Sequence, residues 1–231
     1  MEIAGISSMA TRQILAALTK RYEERTGQSV AIQAMGGVDA ARAVREGAET
    51  DIVILAADVM ARLEQEGLLA SGSTLGIARS GMAIAVPSGA PHPDIASADA
   101  VRRAVAAARR VGYSTGPSGD HLLRLCDAWG LGQAEGQGDP GRLVKAPPGV
   151  PVASLVASGE ADLGFQQLSE LMHVPGIEIV GSLPSEIQAV TIFAAGVAST
   201  SRHPREASAL ISFLASEDGA DVKRQHGMEP V

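Results

Sequence analysis

The stretch Asp51-Ile52-Val53-Ile54-Leu55-Ala56 constrains this chain more than any other. It is an apolar run with an acid at its start and another, Asp58, just beyond its end, of strand length, with no polar face. A strand of this kind is buried on both sides, as in a parallel sheet covered by helices. The flanking pattern agrees. Ile14, Leu15, Leu18 and Tyr22 fall on one face of a helix that Ser8 can cap and Gly27 can end. Val30–Ala34 then reads as a strand and Asp39–Glu46 as a short helix closed by Gly47. After Asp51–Ala56 comes a helix over Asp58–Gln65 with Gly67 at its exit. The first 70 or so residues are therefore predicted to be βαβαβα, an α/β organisation.

A second block of the same kind follows. Met82–Val86 is strand-like, Pro87–Pro93 a rigid loop, Asp99–Arg110 a helix and Val111–Ser114 a strand. His121–Trp129 lies on a helix, and Gly130–Pro140 is rich in Gly, Gln and Pro and reads as a surface loop. Arg142–Ala146, Leu163–Gln166 and Ile177–Val180 are strands, and Pro151 suits the first turn of a helix through Ala157. Ile187–Ala195 is an extended run, and helices from Pro204 and Asp218 close the chain. The pattern predicts two lobes, 1–80 with 194–231 and 81–193. The chain would cross near Arg79–Val86 and return near Ile187–Ala195, two extended crossovers able to act as a hinge with a ligand between the lobes.

Composition narrows the functional classes. A hydrophobic fraction of 45% provides a core, while 3% aromatic content leaves its packing to Ala, Val, Leu and Ile. A net charge of −7 argues against nucleic acid or an acidic membrane surface as partner. No run approaches the ~20 apolar residues of a membrane span. A single cysteine, Cys126 in Leu122-Leu123-Arg124-Leu125-Cys126, excludes an intrachain disulfide and reads as a buried helix thiol rather than a nucleophile. No signal peptide precedes Ile3, so the chain is expected to be either periplasmic, with an upstream signal peptide removed, or cytoplasmic.

Three stretches carry the candidate chemistry: Gly5-Ile6-Ser7-Ser8, Met35-Gly36-Gly37-Val38-Asp39 and Ser114-Thr115-Gly116-Pro117-Ser118-Gly119. Each ends a strand and opens a helix with small or hydroxyl residues. Strand C-termini in open α/β sheets face the ligand crevice, and a helix first turn offers unpaired N–H groups and partial positive charge. A small anion, carboxylate or oxyanion, is the expected ligand. Ser7 and Ser8 read either as caps or as ligand contacts. Gly36 and Gly37 read either as a tight turn or as a close backbone approach. Ser118 and Gly119 form the strongest mouth, with Ser118 predicted to cap the helix carrying His121. Arg79 reads either as a bidentate carboxylate clamp or as a surface arginine. Gln167 ends an apolar strand and can donate to a carboxylate, whereas Gln166 points to the opposite side. His121, one turn past Ser118, reads either as a proton relay or as a partly buried helical histidine. Asp39 reads either as a cap or as a base. No residue cluster has metal-ligand spacing, and no metal or cofactor is expected.

The opening with Ser7-Ser8, Ala41-Arg42 with Gly47-Ala48, Asp51-Ile52-Val53-Ile54, Ala78-Arg79-Ser80-Gly81, Pro117-Ser118-Gly119 and Leu163-Gly164-Phe165-Gln166-Gln167 together resemble the periplasmic molybdate-binding proteins. The resemblance spans nearly the whole chain. It implies a two-lobe type II periplasmic-binding-protein-like fold with an interlobe cleft and two crossover strands. Ser8 matches the first ligand serine of that family, and Gly37 stands where the second serine would be. Ser118 and Gly149 match positions that donate backbone N–H groups, and Gln167 replaces a tyrosine. Those departures imply a roomier cage, suited to a di- or tricarboxylate before molybdate or tungstate. The resemblance thus implies a solute receptor working with an ABC permease. The alternative is the branch that includes aconitate isomerase, a cofactor-free enzyme, for which His121 and Asp39 are the catalytic candidates.

Overall fold

The computed structural model describes residues 2–132, 141–147 and 149–231. Most of the expected Gly130–Pro140 loop lies outside these residues. The chain divides into two compact units, Met1–Ser80 with Thr191–Val231, and Gly81–Val190.

The first unit opens with β1 (Glu2–Ser8), α1 (Arg12–Thr26), β2 (Ser29–Met35), α2 (Gly37–Arg45), β3 (Ile52–Ala56) and α3 (Ala57–Gln65). Strand β1 runs parallel to both β2 and β3, with Gly5 opposite Ile32 and Ile52. All five residues of β3 are buried, as its apolar run requires. On one face Ile3, Ile14, Leu15, Leu18 and Ile54 pack with Leu210, Ile211 and Leu214. On the other, Ile6, Val53 and Leu55 pack with Ala40, Val44, Met60 and Leu63 from α2 and α3. Gly27, Gly47 and Gly67 end or follow the three helices at φ 70°, 85° and 74°, the left-handed conformation that favours glycine.

The chain leaves this unit along β4 (Leu75–Pro87), which begins well before the expected Met82. Gly76, Arg79, Ser80 and Gly81 hide the strand in the sequence, yet Arg79 pairs its backbone with Glu229 in both directions at 2.8 Å. In the second unit β5 (Val111–Tyr113) lies parallel to β6 (Leu143–Lys145) and β7 (Leu163–Gln167), while β7 and β8 (Ile177–Ser182) flank β4 antiparallel. Helices α4 (Ala98–Ala107), α5 (Pro117–Ala128), α6 (Val152–Ala157) and α7 (Leu168–Leu171) complete it. Helix α4 stops short of the expected Arg110 because the Asp162 carboxylate takes the N–H groups of Arg109 and Arg110 at 2.9 and 3.0 Å. The return strand β9 (Val190–Val197) pairs antiparallel with β3, and α8 (Pro204–Ala215) and α9 (Ala220–Gln225) close the first unit. Ile187, Gln188 and Ala189, expected as strand, lie outside β9.

Candidate functional site

In the first unit the register pairs Ser8 with Met35 and Ser7 with Ile54, so β1, β2 and β3 end along one edge. Two of the helices that follow start without a loop. Gly36 (φ −55°, ψ 138°) leads straight into α2, and Ala56 (φ −58°, ψ 139°) straight into α3. Each turns a strand directly into a helix, bringing first-turn N–H groups to the strand ends. The α3 mouth at Ala56-Ala57 escapes a sequence reading based on glycine and hydroxyl residues. Its signal is an apolar strand passing into a helix with nothing between.

Ser7 is fully buried, and its Oγ has no protein partner among the described residues. The expected cap by Ser8 is not made: its hydroxyl bonds no helix N–H, lies 3.4 Å from the Thr11 hydroxyl, and its carbonyl accepts from that hydroxyl at 3.1 Å. A 3-10 turn, Met9–Thr11, separates Ser8 from α1, so the geometry that a cap needs never forms. A β-carbon at Gly37 would meet nothing within 4 Å, whereas one at Gly36 would lie 3.1 Å from Asp39 Oδ2. Asp39 is paired with Arg42 at 2.7 Å. Arg79 is exposed on β4 and makes no ion pair among the described residues.

In the second unit β5, β6 and β7 are parallel, with Tyr113 level with Lys145 and Phe165, and they too end along one edge. Gly116, at φ 116°, is the cap position of α5, and Pro117 opens the helix. Ser118 is therefore already inside the first turn. Its hydroxyl meets the Ser114 hydroxyl at 3.1 Å instead of capping the helix as expected. Gly149, at φ 76°, is exposed and precedes Val150, whose N–H donates to Pro147. Gln167, buried at the end of β7, leads straight into α7 with the backbone angles of Gly36 and Ala56 (φ −58°, ψ 137°). Gln166 points the other way, as its alternation predicts. It accepts from Val152 N–H at 3.0 Å and donates to Glu170 at 2.8 Å, occupying the first turn of α6.

His121 lies in α5 with Nε2 2.7 Å from the carbonyl of Ile187. A carbonyl only accepts, so Nε2 carries a proton, and in the neutral imidazole the lone pair belongs to Nδ1. Cys126 is buried, and burial pushes its thiol up to about 11, which leaves it no thiolate at neutral pH. Among the described residues no group of three or more His, Cys, Asp or Glu side chains is placed to hold a metal ion. Nor is any helix of the described residues long and apolar enough to cross a membrane.

Two α/β units joined by long strands, each with helix first turns gathered at one sheet edge, define the mixed α/β fold of type II periplasmic binding proteins. The chain belongs to the bacterial extracellular solute-binding protein family, whose model matches residues 3–229. It is 37% identical over 217 residues to an aconitate isomerase from Pseudomonas sp, covering 91% of this chain and 80% of that relative. Among solved structures, the periplasmic molybdate-binding protein of Azotobacter vinelandii superposes with a TM-score of 0.78 at 19% identity, over 98% of each chain. The sulfate-binding protein SubI from Mycobacterium tuberculosis gives 0.78 at 18% identity, over 100% of this chain and 87% of that one. These two likenesses establish the fold.

Proposed function

We propose that this protein binds a small unsaturated tricarboxylate and moves its double bond, interconverting cis- and trans-aconitate. The observation that carries the reading is the 37% identity, across nine-tenths of the chain, to an aconitate isomerase. The chemistry is a 1,3-proton shift. A methylene C–H bond breaks, its electron pair becomes the new C=C bond, and the old double bond takes a proton at its far carbon. Nothing is oxidised or reduced, so the reaction asks for carboxylate donors and one group that holds a proton. His121, whose Nε2 is bonded to the Ile187 carbonyl and whose Nδ1 is the other ring nitrogen, is that group in this proposal, and Asp39, already held by Arg42, is the reserve. The proposed carboxylate contacts are Ser7, Ser8, Gly36, Gly37, Arg79, Ser118, Gly119, Gly149 and Gln167.

Family membership favours a second reading, a periplasmic receptor that hands the same acid to an ABC permease without changing it. One experiment separates the two. The protein is incubated with cis- or trans-aconitate in deuterium oxide while ultraviolet absorbance follows the conjugated acid and NMR follows deuterium uptake. Turnover with deuterium incorporation supports the isomerase, and His121→Ala is then expected to lower it 10²–10⁴-fold. Ser8→Ala and Arg79→Ala are expected mainly to raise KM, since they hold carboxylates in ground and transition state alike. Tight binding without turnover leaves the receptor. A thermal shift with molybdate or sulfate and none with aconitate would sink both; an occupied site at 100 times Kd adds roughly 2.7 kcal/mol.

A further inference from the structure

We propose that Gln188 is a positioning residue for His121, acting through the carbonyl of Ile187. The inference rests on reading His121 as the proton-transfer group, but its structural content stands apart from any activity.

The segment from Leu183 to Gln188 follows β8 and precedes the return strand β9. Gln188 docks its carboxamide on buried Met82 of β4 as a neighbouring strand residue would. Its Oε1 accepts from Met82 N–H at 2.7 Å, and its Nε2 donates to the carbonyls of Met82 at 3.1 Å and Leu183 at 3.3 Å. Leu183 N–H donates to the same Met82 carbonyl at 3.1 Å. Both ends of the segment are thus moored to one β4 residue. Between them Ile187 N–H closes a turn onto Pro184 at 3.0 Å, and the Glu186 carboxylate takes Ala98 N–H at the start of α4 at 2.9 Å. What this mooring holds in place is the Ile187 carbonyl, 2.7 Å from His121 Nε2. A neutral imidazole has two tautomers, and the hydrogen bond of one nitrogen decides which is populated.

The residue facing the Gln188 amide supports the argument. A β-carbon at Gly81 would stand 3.1 Å from Nε2, 3.2 Å from Cδ and 3.4 Å from Oε1. Glycine there lets the amide lie against β4. Gly81 has no positive φ, so alanine fits its backbone and acts only by pushing the amide.

The test uses the full chain and two variants, Gln188→Ala and Gly81→Ala. Nitrogen-15 NMR of the imidazoles distinguishes a protonated from an unprotonated ring nitrogen, and His121→Asn assigns the His121 signals among the five histidines. The wild-type protein is expected to show His121 protonated at Nε2 alone. Both variants are expected to show mixed tautomers for His121 while the His92 and His203 signals stay put. Turnover of aconitate should fall roughly tenfold with KM little changed, short of the 10²–10⁴-fold loss expected on removing the imidazole. A His121 tautomer unmoved in both folded variants overturns the inference, even if turnover falls. A tautomer that shifts in protein with no wild-type turnover supports it and rejects only the isomerase reading.

Discussion

Gly119 approaches the carbonyl of Ser114 so closely that a β-carbon at position 119 would overlap that oxygen. The contact presses the first turn of α5 against the end of β5 and sets the Ser118 and Ser114 hydroxyls 3.1 Å apart. Gly119→Ala must push the helix off the strand, because the obstructing atom is backbone. The expected cost is about 3 kcal/mol, at the upper end for overpacking. Urea unfolding checks it, and an unchanged midpoint would show that the helix has room to move.

Ser7 offers a test in which stability and binding move in opposite directions. A buried hydroxyl with no partner costs roughly 1–3 kcal/mol, and the Ser7 hydroxyl has none among the described residues. Ser7→Ala should leave the ligand-free protein as stable as wild type, or more so by about 1 kcal/mol. If Ser7 contacts the ligand as proposed, the same variant should lose most of the thermal shift given by aconitate. Undiminished stabilisation by aconitate would remove Ser7 from the site.

Gly37 tests ligand selectivity. It begins α2, and a β-carbon there meets nothing within 4 Å, so Gly37→Ser has space for its side chain. Serine also loses less backbone entropy than glycine, and stability should hold or rise by up to about 1 kcal/mol. The added hydroxyl should raise affinity for molybdate relative to aconitate, read by calorimetry with each anion. An unchanged ratio would mean that position 37 does not face the bound anion.

Asp51 governs the acid limb of stability. Burial alone raises its pKa, but the Ser201 hydroxyl at 2.7 Å, the Ala4 N–H at 3.0 Å and nearby His203 outweigh burial and hold it below the usual 3.8. The folded state thus binds the proton more weakly than the unfolded chain. The stabilisation is present above pH 3.8 and fades as pH falls through the lower folded value. Asp51→Asn should cost about 2 kcal/mol at neutral pH, the worth of charge-assisted hydrogen bonds, and should flatten the fall in stability on acidification. A parallel acid limb in the two proteins would assign that loss to other carboxylates.

The elements were legible where local chemistry decides them. The apolar run of β3 demanded burial on both faces, and Gly27, Gly47 and Gly67 marked helix exits because the left-handed conformation favours glycine. The N-termini were harder to read. Ser8 and Ser118 have the right chemistry for caps, but a 3-10 turn intervenes after Ser8 and Pro117 moves the α5 cap to Gly116. Strand β4 was half hidden, because Arg79 and Ser80 break its apolar pattern while the partner that pairs Arg79, Glu229, lies 150 residues away in sequence.

The sequence by itself determined the alternation of strands and helices and the small residues at the strand ends. Apolar periodicity, glycine and proline act over a few neighbouring residues, and one chain read in order displays them. Tertiary structure alone decided which side chains the fold occupies itself. Gln166 fills the first turn of α6, Gln188 binds Met82, and the His121 Nε2–H donates to the Ile187 carbonyl. Each of these bonds joins residues 14 to 106 positions apart. Hydrogen bonds form between groups that folding brings within about 3 Å, and no spacing along the chain announces such a meeting.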